Sequence, residues 1–328
     1  MQVGLRLVDA PIRHVGTDRC PQVLQAMRED INGKVEVATR TTVEKILVEK
    51  GKAAGVELKD GQVIKAKVVI VAPGREGASW MVGQARELGL NMVNNAVDIG
   101  LRVEVPAIVM EPLTSVLYES KLLYFSKSFE DEVRTFCMNP DGFVSREAYG
   151  DVVTVNGHSY SDRQSGNTNF ALLVSTKFTE PFKEPITYGM SIARLANLLG
   201  EDIIIQRLGD LQIGQRTTTE RLARSTIRPT LGKCTPGDLS FVLPFRHLRD
   251  ILDMLEAMDE LAPGVNSRET LLYGVEVKFY SARIELSKEL ETKVENLYAV
   301  GDGAGVTRGL VQASASGIIA GRAAIERL

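Results

Sequence analysis

Apolar and polar positions alternate along this chain with two periods, and the places where the period changes mark its elements. Val23, Leu24, Met27 and Ile31 recur at helical spacing behind Thr17 or Asp18 as a cap, which predicts a helix over residues 18–31. Segments 34–38 (KVEVA), 42–50 (TVEKILVEK), 53–61 (AAGVELKDG) and 63–74 (VIKAKVVIVAPG) then read as strands, punctuated by Gly51 and the Asp60-Gly61 turn. The last of them ends in an unbroken apolar run at 68–72 followed by Pro73 and Gly74, the pattern of a central buried strand meeting a turn. Residues 75–88 are predicted helical, although Gly77 and Gly83 weaken the pattern.

Beyond residue 95 the texture shifts to strands separated by longer polar turns. The clearest are 97–105 (VDIGLRVEV), 134–138 (RTFCM), 151–157 (DVVTVNG) and 170–178 (FALLVSTKF), with helices expected over 188–199 and 247–261. The segment 274–286 (GVEVKFYSARIEL) leads back to a short apolar strand, Leu297, Tyr298, Ala299 and Val300. A turn carrying Gly301, Asp302, Gly303 and Gly305 follows, then a slim helix of small residues from about Gly309. This order predicts an α/β protein with a discontinuous first domain, residues 1–94 and 281–328, and an inserted sheet-rich α+β domain over 95–280. No internal repeat or low-complexity segment interrupts it.

With 328 residues, 44% hydrophobic content and 39 basic against 42 acidic side chains, the chain can bury a substantial core in two domains. A net charge of -3 and a pI of about 5.8, with no basic run, argue against nucleic acid as a main partner. No apolar stretch of membrane-spanning length and no signal-peptide layout is present, so no membrane partner and a cytoplasmic location are expected. Cys20, Cys137 and Cys234 are odd in number and far apart, and three buried free thiols are expected. His14 and His247 lack partners at metal-ligand spacing, so no metal site is expected.

The chemistry concentrates in the late glycine turn. Gly301, Gly303 and Gly305 let backbone approach a ligand where a side chain would collide, Asp302 can accept hydrogen bonds from sugar or sugar-alcohol hydroxyls, and the N-terminus of the following helix offers free N–H groups. The same residues also serve a plain strand-turn-helix that uses its glycines for packing, and local chemistry leaves both readings open.

The stretch from Asn296 to Leu328 (NLYAVGDGAGVTRGLVQASASG and onward) resembles flavoproteins of the glutathione reductase-like superfamily, in which a late strand ending in a Gly-Asp turn meets FAD. The resemblance implies that Asp302 holds the ribityl chain, with Gly301 and Gly303 beside it, and that the amides near Leu310, Val311 and Gln312 face the pyrimidine edge of the flavin. Residues 35–74 resemble the same proteins. Val37 matches the adenine-side strand, and Ala72, Pro73 and Gly74 match a turn that usually reads Ala-Thr-Gly; Pro73 departs from it and has no N–H to donate. Segments 13–31, 136–174 and 271–286 are similar, in the same order, to two-domain FAD-dependent dehydrogenases of the NAD/FAD-utilising family. Membership implies a partial FAD/NAD(P)-binding, Rossmann-like domain with an inserted substrate domain. It also implies FAD as cofactor, NAD(P)H as a transient electron donor and a small-molecule substrate.

That family opens with a strand, a GxGxxG turn and a helix that seat the pyrophosphate. This sequence holds no such pattern: its early glycines, Gly4, Gly16 and Gly33, lack the spacing. The chain is then either a piece of a longer flavoprotein or a short form without cofactor binding. The first is preferred because flavin-side features would otherwise have little reason to persist. An isolated chain of this kind would bind FAD weakly or not at all, and an exposed sheet edge would invite a homodimer. Candidates for substrate chemistry are Arg283, for a carboxylate, and His158 and Tyr160 with Asp162 and Arg163 in the loop NGHSYSDRQ; each also has a bland reading as a salt bridge or polar loop, as does Arg216. The competing functional class is a non-catalytic ligand-binding or interaction domain that keeps the scaffold without flavin.

Overall fold

The computed structural model describes residues 4–9, 17–93, 96–160, 162–178, 182, 184–278 and 283–328. The chain is a mixed α/β protein that divides into two compact units. The larger comprises Met1–Ile31, Val97–Lys177 and Thr187–Lys278, and the smaller Asn32–Ala96, Phe178–Ile186 and Phe279–Leu328. His14 and Gly16, and residues 95 and 280 at the expected domain boundaries, lie outside the described residues. Among the described residues no helix is long and apolar enough to cross a membrane.

An eight-stranded sheet forms the larger unit, in the order Arg6–Leu7, Leu122–Phe125, Glu132–Asn139, Asn167–Thr176, Val97–Pro106, Leu271–Lys278, Ile204–Arg207, Thr235–Pro236. All its pairings are antiparallel except the last. The Val97–Pro106 strand sits in the middle, and its two-residue period splits it cleanly. Val97, Ile99, Leu101, Val103 and Val105 form one buried face; Asp98, Arg102 and Glu104 occupy the other, equally buried. Gly100 is obligatory here, because a Cβ would stand 1.8 Å from the carbonyl oxygen of Leu172 on the neighbouring strand. The helix Phe245–Asp259 packs on this sheet, burying Ile251, Met254, Leu255 and Met258. The hairpin of Phe143–Tyr149 with Val152–His158 also packs on it, and its Asn156 reaches the polar side of the central strand.

That polar side is a closed ion network. Arg102 Nε and Nη2 donate to the two oxygens of Glu276 (2.7 and 3.1 Å), Nη1 donates to the Cys137 carbonyl and to Asn169 Oδ1 (both 2.9 Å), and Nη2 also reaches Asn156 Oδ1 at 3.3 Å. All the guanidinium donors are thereby used. Lys278 Nζ lies 2.9 Å from Glu147 Oε2 and 3.3 Å from Glu276 Oε1, so two cations balance two carboxylates. Burial works against the charges of Arg102 and Lys278, but the adjoining carboxylates hold both pKa values above the ordinary range. The hairpin leaves room for this group only because position 157 is glycine: a Cβ there would meet Asn169 Oδ1 at 2.2 Å and Arg102 Nη1 at 2.6 Å.

A second buried group lies under the Phe245–Asp259 helix. Ser126 Oγ donates to Asp250 Oδ1 at 2.5 Å, and Asp131 beside it pairs with Arg246. Burial, reinforced by Asp131, lifts the Asp250 carboxyl to about 6, while burial lowers His247 to about 4. The signs oppose. Asp250, raised in the folded state, contributes stability that is complete below its ordinary value and lost as pH rises through about 6; the His247 contribution is present above 6.5 and lost as pH falls through about 4. Asp250→Asn keeps a group that can accept from Ser126 and donate to Asp131 without the buried charge. It is expected to gain about 1–3 kcal/mol above neutrality and little below 3.8, the ordinary carboxyl value, checked by urea unfolding of both proteins at the two pH values. An equal gain at both would remove Asp250 as the source.

The smaller unit holds a three-stranded meander, Val43–Glu49, Lys52–Leu58 and Val63–Lys65, a parallel pair, Val69–Val71 with Leu297–Ala299, and the helices Ala78–Glu87 and Leu310–Glu326. Gln84 Oε1 accepts from the Ile46 amide (2.8 Å) and Trp80 Nε1 donates to the Glu44 carbonyl (2.9 Å), pinning the first helix to the meander. One expected strand does not form. Residues 34–38 are irregular, and Val35 and Val37 are 55% and 62% exposed, because no described segment lies alongside to pair with them; an isolated extended segment has no partner for its backbone groups. The three thiols are free, as expected, but half-buried rather than buried; burial pushes Cys234 up to about 11.

Candidate functional site

Leu297, Tyr298 and Ala299 pair in parallel with Val69, Ile70 and Val71, and the Val300 amide extends the ladder to the Val71 carbonyl at 3.0 Å. Parallel strands in register end at the same edge. The Ala72-Pro73-Gly74 turn and the Gly301–Gly305 turn therefore emerge side by side at the carboxyl ends of the pair, where open α/β sheets bind ligands. They touch: a Cβ on Gly303 would lie 2.1 Å from the Gly74 carbonyl oxygen and 2.7 Å from Pro73 Cγ. Gly74, Gly301 and Gly305 take φ of 64°, 75° and 71°, a left-handed backbone that glycine adopts without strain.

Asp302 is held at the mouth of this edge. Its Oδ2 accepts from Arg75 Nε at 3.2 Å and its Oδ1 from Thr307 Oγ1 at 2.5 Å, so the carboxylate is oriented from both sides while the Arg75 side chain stays half-exposed. The turn is tied to the helix behind it by Ser316 Oγ, which accepts from the Gly301 amide (3.1 Å) and donates to the Ala313 carbonyl (2.7 Å). No side chain caps the helix at Gly309, and Leu310 and Val311 are 77% and 83% exposed. The first-turn amides of Leu310, Val311 and Gln312 are thus orphan donors at a positive dipole end.

These features fit the ribityl and ring end of a flavin: a fixed carboxylate for hydroxyls, uncapped amides for an electron-rich edge, and glycines that keep the approach open. They do not supply a pyrophosphate seat, since no described strand-to-helix turn carries the required glycines. Val37 stands on the irregular 34–38 segment.

The substrate-side candidates fall in different units. Arg283 is exposed on the short strand Arg283–Ile284 of the smaller unit, paired with Met92–Val93. His158 ends the hairpin strand of the larger unit, half-buried; burial, then Arg102 and Lys278, lower its pKa against the pull of Glu147, so the neutral imidazole is favoured. Tyr160 packs edge-on against Phe143 (centroids 5.6 Å apart), with Arg163 3.8 Å above its ring. Sequence reasoning missed Arg75 and Thr307, the partners of Asp302. It also missed the Arg102 network, although three charged positions alternating along an apolar strand were a readable sign of it.

The family model described as FAD-dependent protein, C-terminal domain-like, matches residues 98–279, more than half of the chain. A second model, Glucose inhibited division protein A, matches residues 234–328. An uncharacterized protein of Clostridium beijerinckii is 28% identical over 349 aligned positions, which cover 96% of this chain and 62% of the relative. The chain therefore spans less than two thirds of that relative's length. Among solved structures, an oxidoreductase from Methanosarcina mazei is similar with a TM-score of 0.39 and 14% identity over 94% of this chain and 54% of the other. GidA of Aquifex aeolicus gives 0.39 and 14% over 99% and 51%.

Proposed function

We propose, from the premise that this chain belongs to the family of FAD-dependent proteins with the C-terminal domain-like region, that it serves a flavin-dependent dehydrogenase and holds the ribityl and isoalloxazine half of FAD. One observation carries the reading: two parallel, in-register strands end in glycine turns that touch at Gly303 and Gly74, beside an oriented aspartate and an uncapped helix. The flavin, when bound, supplies the two-electron redox chemistry. The protein's own groups do the rest. Asp302, aligned by Arg75 and Thr307, accepts hydrogen bonds from the ribityl hydroxyls, and the amides at 310–312 with the helix dipole favour negative charge at the ring edge.

The electron donor is a small-molecule substrate or transient NAD(P)H, with Arg283, His158 and Tyr160 as candidates for substrate contact. Contacts to the pyrophosphate come, in this reading, from sequence beyond these 328 residues. The test is a FAD titration followed by flavin fluorescence. Asp302→Ala is expected to weaken binding at least about tenfold, the worth of one charge-assisted hydrogen bond. Lys52→Gln, which removes a surface pair with Glu295, leaves it unchanged. Equal affinity of wild type and Asp302→Ala would overturn the assignment.

A further inference from the structure

The larger unit carries a second concave site, away from the Arg102 network. Arg207 closes the strand Ile204–Arg207, and Arg221 and Arg224 belong to the short helix Thr219–Ala223 and its C-cap. With Asp210 they line a cavity of about 330 Å³. Three guanidinium groups around one cavity repel one another, so the question is what balances them.

Their protein partners fall short. Asp210 spends Oδ1 on Arg221 Nη1 (2.9 Å) and Oδ2 on the Thr217 hydroxyl (2.8 Å). Arg207 Nη2 pairs with Glu269, but Nη1 stands 3.9 Å from Asp210, beyond hydrogen-bond distance, and Nε is buried without a partner. Arg224 Nε donates to the Glu220 carbonyl at 3.3 Å, and no carboxylate among the described residues lies within ion-pair distance of it. Asp210, Glu269 and Glu220, whose charge acts on Arg224, face the three arginines, yet Arg207 Nη1 and both Nη groups of Arg224 make no hydrogen bond among the described residues. A buried, unmatched guanidinium donor is costly unless an anion or water completes it.

We propose that this cavity is a binding site for a phosphoryl group, carried by a small phosphorylated molecule or as free phosphate. A carboxylate is saturated by one guanidinium fork; a tetrahedral oxyanion with three terminal oxygens uses donors converging from several arginines. The cavity volume admits a phosphoryl group with a small organic remainder. The assignment stands within the larger unit and does not rest on the flavin reading.

The test uses the full chain, with inorganic phosphate as probe, at constant ionic strength set with chloride. Calorimetric titration is expected to show saturable binding to one site, at least about tenfold weaker in Arg224→Gln and unchanged in Arg216→Gln, an exposed arginine that does not line the cavity. Arg224 is the chosen position because its exposed side chain makes no ion pair that folding needs, and matching unfolding midpoints of the two variants verify this. Glycerol 3-phosphate binding more tightly than phosphate identifies a phosphorylated molecule as ligand; equal or weaker binding identifies free phosphate. Phosphate binding no better than chloride, Arg224→Gln binding like wild type, or acetate binding as tightly as phosphate would each overturn the proposal.

Discussion

Replacing Arg102 with methionine is expected to destabilise the larger unit by about 3–5 kcal/mol, the range for breaking a buried ion pair by removing one partner. Both Arg102 and Glu276 are fully buried at the centre of the sheet. Removing the guanidinium strands Glu276 with Lys278 alone, and takes one donor each from the Cys137 carbonyl and the amide oxygens of Asn156 and Asn169, which keep only Asn139 Nδ2 and the Gly157 amide. A typical domain has only about 5–15 kcal/mol in total, so this single change removes a large share. Replacing both partners, Arg102→Met with Glu276→Leu, removes the stranded charge along with the pair and is expected to recover part of the loss. Urea unfolding of the three proteins decides it. A single variant within about 0.5 kcal/mol of wild type, the span of an ordinary surface substitution, would mean that the network is not closed as described.

Gly303→Ala is the second large effect, and it joins stability to function. The added Cβ would stand 2.1 Å from the Gly74 carbonyl oxygen and 2.7 Å from Pro73 Cγ, both parts of the opposing turn rather than the end of a flexible side chain. The two turns must separate. Overpacking of this kind costs about 1–3 kcal/mol or more, and the flavin contact assembled from both turns is expected to weaken with it. Gly317→Ala, on the helix Leu310–Glu326 that follows the turn, is the contrast. Nothing lies within 4 Å of its Cβ, so the helix gains roughly 0.5–1 kcal/mol with flavin affinity unchanged. Thermal unfolding and flavin titration of both variants check the pair; a Gly303→Ala protein as stable and as flavin-competent as wild type would show that the turns do not need to touch.

Patterns that act along the chain were the legible ones. The alternation in 97–105, the helical spacing in 18–31 and the apolar run at 297–300 specify their own elements, and the structure has them at Val97–Pro106, Cys20–Ile31 and Leu297–Ala299. The segment 34–38 has the composition of a strand but not its neighbour, and strand formation is decided by the neighbour. The glycine turn announced itself through Gly301, Gly303 and Gly305, yet the reason for Gly303 lies in Gly74, more than two hundred residues earlier. Arg75 and Asp302 are equally distant and meet only because Val69–Val71 and Leu297–Ala299 pair in parallel. The arginines at 207, 221 and 224 carry no motif; Asp210 and the turn of chain between them bring them to one cavity.

The central claim is that this chain holds the ribityl and ring half of a flavin site and not its pyrophosphate half. It is tested most directly by titrating the full chain with riboflavin and with FAD, and repeating the riboflavin titration in saturating ADP. The account predicts saturable riboflavin binding, an affinity for FAD within a few-fold of it, and no competition from ADP. Failure of riboflavin to bind, or its displacement by ADP, would contradict the claim.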